Sequence, residues 1–236
     1  MTPVADGHLA TSVLTAASAF DELHDEWDRL LEASDQHGFF LRSRWNQLWW
    51  KYYAPPNARL HLIACRDANG TLVGLAPLYS RRLTTLGLSC GREILFLGMG
   101  VDVKTSEPLD VIARRGAEHR VGGAVGRYLS DNDAWDRLWL WQVPVDSVVL
   151  PHVVSHFGRA SSVAHCDRAP YIDTSTDWAT FKAGFGRSMR RNVEYYARRL
   201  FKTYPGCQFA RVRTRSALTP ALDALVQLHR ARWRAR

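Results

Sequence analysis

The sequence predicts an α/β fold in which a mixed β-sheet is flanked by helices. The apolar residues recur with a helical period up to about residue 53 and form strand-like runs from residue 59 onward. Helical and strand-like segments then alternate, and a new series begins after residue 165. We therefore expect one unit over residues 1–165 and the beginning of a second over residues 166–236, a division that 236 residues allow.

Two helices are predicted before the first hairpin. Ser18 is the expected N-cap of the first helix, which ends near Gly38. Ser43 is the expected N-cap of the second, which stops at Pro55.

The second helix is rich in aromatic residues, and their spacing separates two faces. Trp50 and Tyr53 fall outside the apolar face, so Trp50 is a candidate for stacking on a sugar ring or for contact with a membrane surface. The residues expected to be buried are Trp45, Leu48, Trp49 and Tyr52.

A β-hairpin is predicted over residues 59–82, because two apolar runs flank the turn sequence Asp67-Ala-Asn-Gly. Pro77 indicates an edge or a bulge in its second strand. Further strands are predicted at 92–100, 107–113, 136–144, 161–174 and 207–214, and helices at 116–130, 146–157, around 178, at 185–202 and at 216–235.

The segment FGRSMRRNVEYYARRLFK (185–202) carries five arginines and a lysine on a predicted helix. Two interpretations remain open: a solvated face with Arg–Glu pairs, or a basic face lining a groove between the two units and attracting an anionic ligand. The candidate ligand-binding residues are Arg187, Arg190, Arg191 and Arg198, and the apolar residues expected to be buried are Met189, Val193, Tyr196 and Leu200.

The composition favours an anionic partner, because 31 basic residues exceed 23 acidic ones. Nucleic acid, coenzyme phosphates and lipid headgroups all satisfy this condition. The sequence begins without the pattern of a signal peptide, and no apolar run reaches the length of a membrane span. Its four cysteines are far apart, which is typical of free thiols in a reducing compartment, so we expect a cytoplasmic protein.

Five segments in one order resemble the CelD/BioF2-like branch of the GNAT acyltransferase superfamily, whose members are similar to the Fem aminoacyltransferases in having two GNAT-like halves. The resemblance spans residues 43–233. The segments are FLRSRWNQLWWKYY, GTLVGLAPLYSRR, ILFLGMG with EPLDVI, APYIDTSTDWATFKAGFGRSMRRNVEYYARRL, and LVQLHRARW.

The resemblance implies a GNAT-like mixed sheet and transfer of an acyl group from acyl-CoA to an amine or hydroxyl acceptor, in connection with cell-surface polysaccharide. In this superfamily, backbone amides of a glycine loop at a helix N-terminus bind the coenzyme pyrophosphate. The nearest match is Arg120-Val-Gly-Gly-Ala-Val125, which lies in the middle of a predicted helix and is therefore interpreted as packing. The resemblance also implies that the coenzyme part follows Arg236, so that this fragment alone is inactive.

No residue can be assigned a catalytic role from the sequence, and no metal-ligand pattern is present. Asp110 is expected at the start of a strand, where its carboxylate either binds an acceptor or caps a turn. His229 shares a helical face with Trp233 and either orients an acceptor or lies on the surface. The alternative function is a non-catalytic module that binds nucleic acid or another anionic polymer.

Overall fold

The structure is a computed structural model that describes residues 8–85, 88–100, 106–165, 168, 170 and 172–234. The chain divides into two compact units, Met1–Asp167 and Arg168–Arg236, which are described separately below. The first unit is α/β, with a mixed sheet of six strands flanked by helices.

In chain order, the first unit contains β1 (Ala10–Leu14), α1 (Ala19–Glu32), α2 (Ser43–Tyr53), β2 (Arg59–Arg66), β3 (Leu72–Thr85), β4 (Leu88–Phe96), β5 (Ile112–Ala113), α3 (Glu118–Ser130), β6 (Arg137–Trp139) and α4 (Leu150–Val154). Short 3-10 helices occur at Phe39–Leu41 and Ser155–Ala160. The second unit contains α5 (Trp178–Ala183), α6 (Arg187–Thr203) and α7 (Arg215–Arg234).

The sheet order is β1-β2-β3-β4-β6, and β5 pairs with β3. All pairs are antiparallel except β4 and β6, which are parallel. The predicted hairpin is confirmed: β2 and β3 flank a turn in which Gly70 has a φ of 77°. The carboxylate of Asp67 accepts hydrogen bonds from the backbone N of Asn69 and of Thr71, both at 3.0 Å, and so fixes the turn.

Pro77 lies inside β3, between the residues that pair with β5 and those that pair with β4. Leu75 pairs with β5 and Leu78 with β4, while the carbonyl of Pro77 accepts a hydrogen bond from the backbone N of Leu97 at 2.8 Å. The ring nitrogen therefore faces the junction between the two partner strands. The missing N–H consequently removes no bond from either ladder.

The two faces of the sheet are buried by different helices. Trp49 of α2 packs against Tyr79 with ring centroids 5.3 Å apart. On the opposite face, Gly74 leaves room for α3, because an added Cβ would lie 2.4 Å from a methyl group of Val121. The buried core is continuous across β2, β3, β4 and the helices on both faces.

Several predicted boundaries are wrong, for a common physical reason. The strands predicted at 107–113 and 136–144 shorten to β5 and β6, and the N-terminal strand β1 was not predicted. The described parts of 161–174 and all of 207–214 contain no strand. A strand requires a neighbouring strand for its backbone hydrogen bonds, and the apolar pattern of a segment does not reveal whether such a partner exists.

The glycine pattern near residue 120 lies within α3, as the packing interpretation predicts. An added Cβ at Gly122 would lie 2.5 Å from the Cβ of His152 and 2.8 Å from the carbonyl oxygen of Val149. An added Cβ at Gly123 would have the Nε2 of His156 as its nearest neighbour, at 4.0 Å. Gly122 therefore permits the close approach of α3 and α4, whereas Gly123 faces open space.

This difference predicts opposite effects for neighbouring substitutions. Gly122→Ala should lower the free energy of unfolding by about 1–3 kcal/mol, because the helices must move apart. Gly123→Ala should raise it by up to about 1 kcal/mol, because alanine favours the helix. Urea unfolding of both variants tests the pair, and equal effects at the two positions would contradict the packing of α3 on α4.

Candidate functional site

The candidate site lies at the edge where β4 and β6 end. The two strands are parallel, with Glu93 opposite Arg137 and Leu95 opposite Trp139, so both chains leave the sheet at the same edge. In open α/β sheets, ligands bind in the crevice outside the carboxyl ends of parallel strands. The segment after β6 and the residues that precede β5 meet at this edge.

Asp110 is the central ionisable residue of this edge, and it is only 2% exposed. Its carboxylate accepts a hydrogen bond from the backbone N of Val111 at 2.8 Å, and the hydroxyl of Ser147 is close enough to stabilise its charged form. The backbone N of Leu109 donates to the carbonyl of Gln142 at 3.0 Å. Asp110 is thus held by groups from two separate segments of the chain.

Burial raises the pKa of Asp110 from 3.8 to about 6. The hydrogen bonds from Ser147 and Val111 oppose this shift, and the nearby carboxylate of Asp146 adds to it. Among the described residues Asp110 forms no ion pair, so no positive charge compensates for its burial. A carboxyl group with these surroundings is suited to exchanging a proton near neutral pH.

Gln142 adopts an uncommon backbone conformation beside Asp110. Its φ is 63°, a region that non-glycine residues enter at a cost of about 1–3 kcal/mol. Its side-chain nitrogen donates to the carboxylate of Glu107 at 3.1 Å, and its carbonyl binds the chain at Leu109. These contacts hold the residues after β6 against the segment that carries Asp110.

Side chains also fix the residues that follow β4 and those that precede β5. The indole nitrogen of Trp45 donates to the hydroxyl of Ser106 at 2.8 Å, and the hydroxyl of Tyr79 donates to the carbonyl of Met99 at 2.8 Å. Burial raises the pKa of Tyr79 to about 12, so it remains a donor. Helix α2 and strand β3 therefore support the same edge of the sheet.

Sequence reasoning found Asp110 but missed Ser147 and Gln142. Asp110 lies two residues before β5 rather than at the start of a longer strand. Ser147 is distant in sequence, and a lone serine in a loop carries no recognisable signal. Gln142 was missed because nothing in its neighbours indicates a positive φ.

The predicted buried face of α2 is wrong in part. Tyr52 is 67% exposed, and Trp50 is half-buried with its ring set edge-on to Tyr79, the centroids 6.4 Å apart. The helix is rotated because Asn46 is buried, where its amide nitrogen donates to two backbone carbonyls at 2.9 and 3.0 Å. No described contact joins Trp50 to Asp110, and the role of Trp50 in sugar stacking stays a prediction.

The predicted burial of the apolar stripe of α6 is wrong. Met189 and Tyr196 are 57% and 62% exposed, and Val193 and Leu200 are half-buried. Within the described part of the second unit, neither α5 nor α7 packs along this helix. A helical period predicts which residues share a face, but burial depends on a partner for that face.

The four candidate arginines lie on α6 and are exposed. The guanidinium of Arg190 donates to the carbonyl of Phe185 at 3.1 Å. Glu194, the acidic residue of α6, pairs instead with Lys182 of α5 at 3.2 Å. In the described residues, Arg187, Arg191 and Arg198 therefore form no ion pair, and the predicted Arg–Glu pairing within this helix is not found.

Positive charge is concentrated in the second unit. Residues 168–236 contain 15 Lys and Arg and 4 Asp and Glu, a net charge of +11. Residues 1–167 contain 16 Lys and Arg and 19 Asp and Glu, a net charge of −3. The excess of +8 in the whole chain thus comes from the second unit alone.

His229 lies on α7 and contacts Trp233, with ring centroids 5.9 Å apart, as their spacing predicts. Its role in orienting an acceptor stays a prediction. Cys65, Cys90 and Cys207 form no disulfide bond among the described residues, and Cys166 lies outside them. In the described part of the chain, no group of three or more His, Cys, Asp or Glu side chains could hold a metal ion, and no helix has the length and hydropathy to span a membrane.

The candidate coenzyme pattern does not fit a pyrophosphate. Arg120 to Val125 lie inside α3, where the backbone amides from Val121 onward form helical hydrogen bonds, and Gly122 is covered by α4. No family model matches the chain. A search of curated proteins also gives no match.

The pKa of Asp110 predicts a specific dependence of stability on pH. Because its pKa is higher in the folded state, the folded protein binds more protons than the unfolded chain between about pH 4 and pH 6. The contribution of Asp110 to the free energy of unfolding is therefore present below about pH 4 and is lost as the pH rises from about 4 to about 6. Relative to Asp110→Asn, which stays uncharged, the wild type should lose about 2 kcal/mol between pH 4 and pH 7.

Urea unfolding at fixed pH values measures this difference. Asp133→Asn removes an exposed carboxyl of the same unit and serves as the control. If the two variants differ from the wild type in the same way at every pH, Asp110 is not a buried carboxyl of raised pKa.

Proposed function

We propose that the protein is a GNAT-type acyltransferase that moves an acyl group from acyl-CoA to an amine or hydroxyl acceptor, and that Asp110 accepts the proton of the acceptor. The observation that carries the proposal is a buried carboxyl group, with a pKa of about 6, at the edge where the parallel strands β4 and β6 end. The resemblance of five ordered segments and the mixed sheet support it.

The chemistry requires a proton acceptor at the attacking group. As the lone pair of the amine or hydroxyl forms a bond to the acyl carbon, the N–H or O–H proton must leave. A carboxylate whose pKa is near 6 is ionised at pH 7 and is a stronger base than an ordinary aspartate. The backbone N of Val111 holds this carboxylate in position, and the nearby hydroxyl of Ser147 stabilises its charge.

We assign the first unit to the acceptor, which is a small molecule or a saccharide. Acyl-CoA is the expected co-substrate, but the glycine pattern of α3 does not fit its pyrophosphate, and no step is assigned to residues of that helix. The interpretation of residues 166–236 as the start of a second GNAT-like half, and a cytoplasmic location, are part of the same proposal.

Release of CoA from acyl-CoA in the presence of a panel of amines and sugars tests the function, with the protein as its gene encodes it. Asp110→Asn should lower kcat by about 100-fold or more with little change in the amount of folded protein at pH 7. Asp146→Asn should move the acidic limb of the rate profile to lower pH, because the charge of Asp146 raises the pKa of Asp110.

Asp133→Asn is the matched control and should retain the wild-type profile. Absence of CoA release with every acceptor would overturn the acyltransferase proposal. Release that persists unchanged in Asp110→Asn would remove Asp110 from the reaction but leave the activity standing.

A second candidate function is binding of nucleic acid or another anionic polymer by the second unit. The observation that favours it is the net charge of +11 in residues 168–236, together with the exposed arginines of α6 that lack acidic partners in the described residues. Arginines that contact phosphates release counterions, so such binding weakens steeply with salt.

Arg187→Ala/Arg191→Ala should weaken binding of a single-stranded oligonucleotide or of heparin. It should also lower the slope of log affinity against log salt by about 2, one for each lost phosphate contact. Fluorescence anisotropy over a salt series measures both. Arg29→Ala/Arg127→Ala, on exposed positions of α1 and α3, is the control of equal charge. An unchanged slope in the α6 variant would show that this face is only solvated.

A further inference from the structure

Three arginines of the first unit lie on one face of the sheet, near the first residue of β2. Arg59 lies opposite Ser80, and Arg82 lies opposite Arg92. Opposed residues of antiparallel strands share a face, as do residues two apart along one strand. Arg59, Ser80, Arg82 and Arg92 therefore all belong to one face.

These four residues line a cavity of about 300 Å³. Residues 56–58, which lead into β2, close one side of it, and no carboxylate lines it. Ser80 is 6% exposed, and its hydroxyl forms no hydrogen bond among the described residues. The cavity thus combines positive charge with a hydroxyl that is available as a donor.

The positive charge of this cavity is uncompensated. Arg82 and Arg92 face each other across the strands, an arrangement that is destabilising for like charges. In the described part of the chain none of Arg59, Arg82 and Arg92 forms an ion pair, and the carboxylate of Asp136 accepts a hydrogen bond from the backbone N of Arg92, at 2.8 Å, rather than from its guanidinium. Arg81, which also borders the cavity, is neutralised by Glu93.

General basicity does not explain this cluster, because the first unit has a net charge of −3. The adjoining and more open cavity contains the same Arg82 and Arg92 but also Asp133 and Asp136, so its charge is mixed. The carboxylate-free cavity is therefore the place in this unit where a bound anion would relieve a repulsion between neighbouring strands.

We propose that Arg59, Ser80, Arg82 and Arg92 form a binding site for the phosphate or diphosphate group of a small molecule. Guanidinium groups donate paired hydrogen bonds that match phosphate oxygens, and a serine hydroxyl adds a further donor. A cavity of about 300 Å³ is at the small end of ligand sites, which suits a phosphate or diphosphate group better than an entire nucleotide. This site is separate from the proton acceptor proposed at Asp110 and does not depend on it.

Calorimetric titration of the complete chain at low ionic strength tests the proposal, with inorganic pyrophosphate and glucose 1-phosphate as probes. Both should bind the wild type, and Arg82→Gln/Arg92→Gln should weaken that binding at least tenfold. Arg29→Gln/Arg127→Gln removes the same charge from exposed positions outside the cavity and should bind as the wild type does.

Thermal unfolding supplies an independent readout. Without any probe, Arg82→Gln alone should raise the melting temperature, because it removes one of two opposed like charges. Pyrophosphate should raise the melting temperature of the wild type and not that of Arg82→Gln/Arg92→Gln.

Equal loss of binding in the cavity variant and in the control would overturn the proposal, since bulk charge alone would then explain it. Preferential binding of vesicles containing phosphatidic acid, or of an RNA oligomer, through Arg82 and Arg92 would also overturn it in favour of a macromolecular or lipid ligand.

Discussion

The arrangement of the first unit depends on one buried carboxylate, that of Glu93, in the middle of the sheet. Glu93 is fully buried and accepts a hydrogen bond from Arg81 of β3 at 2.6 Å, while its second oxygen lies 3.8 Å from the side chain of Arg137 in β6. A shift of β6 by one residue would turn Arg137 to the other face and leave the negative charge without this partner. Since β6 has only three residues, this pairing helps to fix its register, and the register determines where Gln142 binds Leu109 and where Ser147 approaches Asp110.

The two proposed anion sites of the chain differ in how their charge is distributed. The first unit is slightly acidic and concentrates three arginines without ion pairs in the described residues at one small cavity. The second unit is strongly basic along an exposed helix, where many weak contacts are available to an extended polymer. The net charge of the whole chain, which is +8, hides this contrast because it adds a negative unit to a positive one.

Features that depend on neighbours in sequence were predictable, and features that depend on distant partners were not. The hairpin of β2 and β3 follows from the turn at Gly70, and α3 follows from its helical pattern despite its glycines. The segment 207–214 has the composition of a strand but lacks a partner strand among the described residues, and α2 buries Asn46 in place of Tyr52. The site shows the same division: Asp110 stood out as a carboxylate in an apolar run, whereas its contact with Ser147 spans 37 positions and arises only when β6 pairs with β4.

The two buried carboxylates of the sheet region show how surroundings separate a structural role from a chemical one. Glu93 lies between two guanidinium groups, so its charge is compensated, and its removal would leave the largely buried guanidinium of Arg81 unpaired. Asp110 is held by a backbone amide and lies near the hydroxyl of Ser147, neither of which brings a charge to balance its own, and Asp146 repels it further. The paired carboxylate of Glu93 maintains the geometry of the sheet, whereas burial without a compensating charge raises the pKa of Asp110. That contrast in partners, more than burial itself, is the reason to locate proton transfer at Asp110 and the support of the sheet at Glu93.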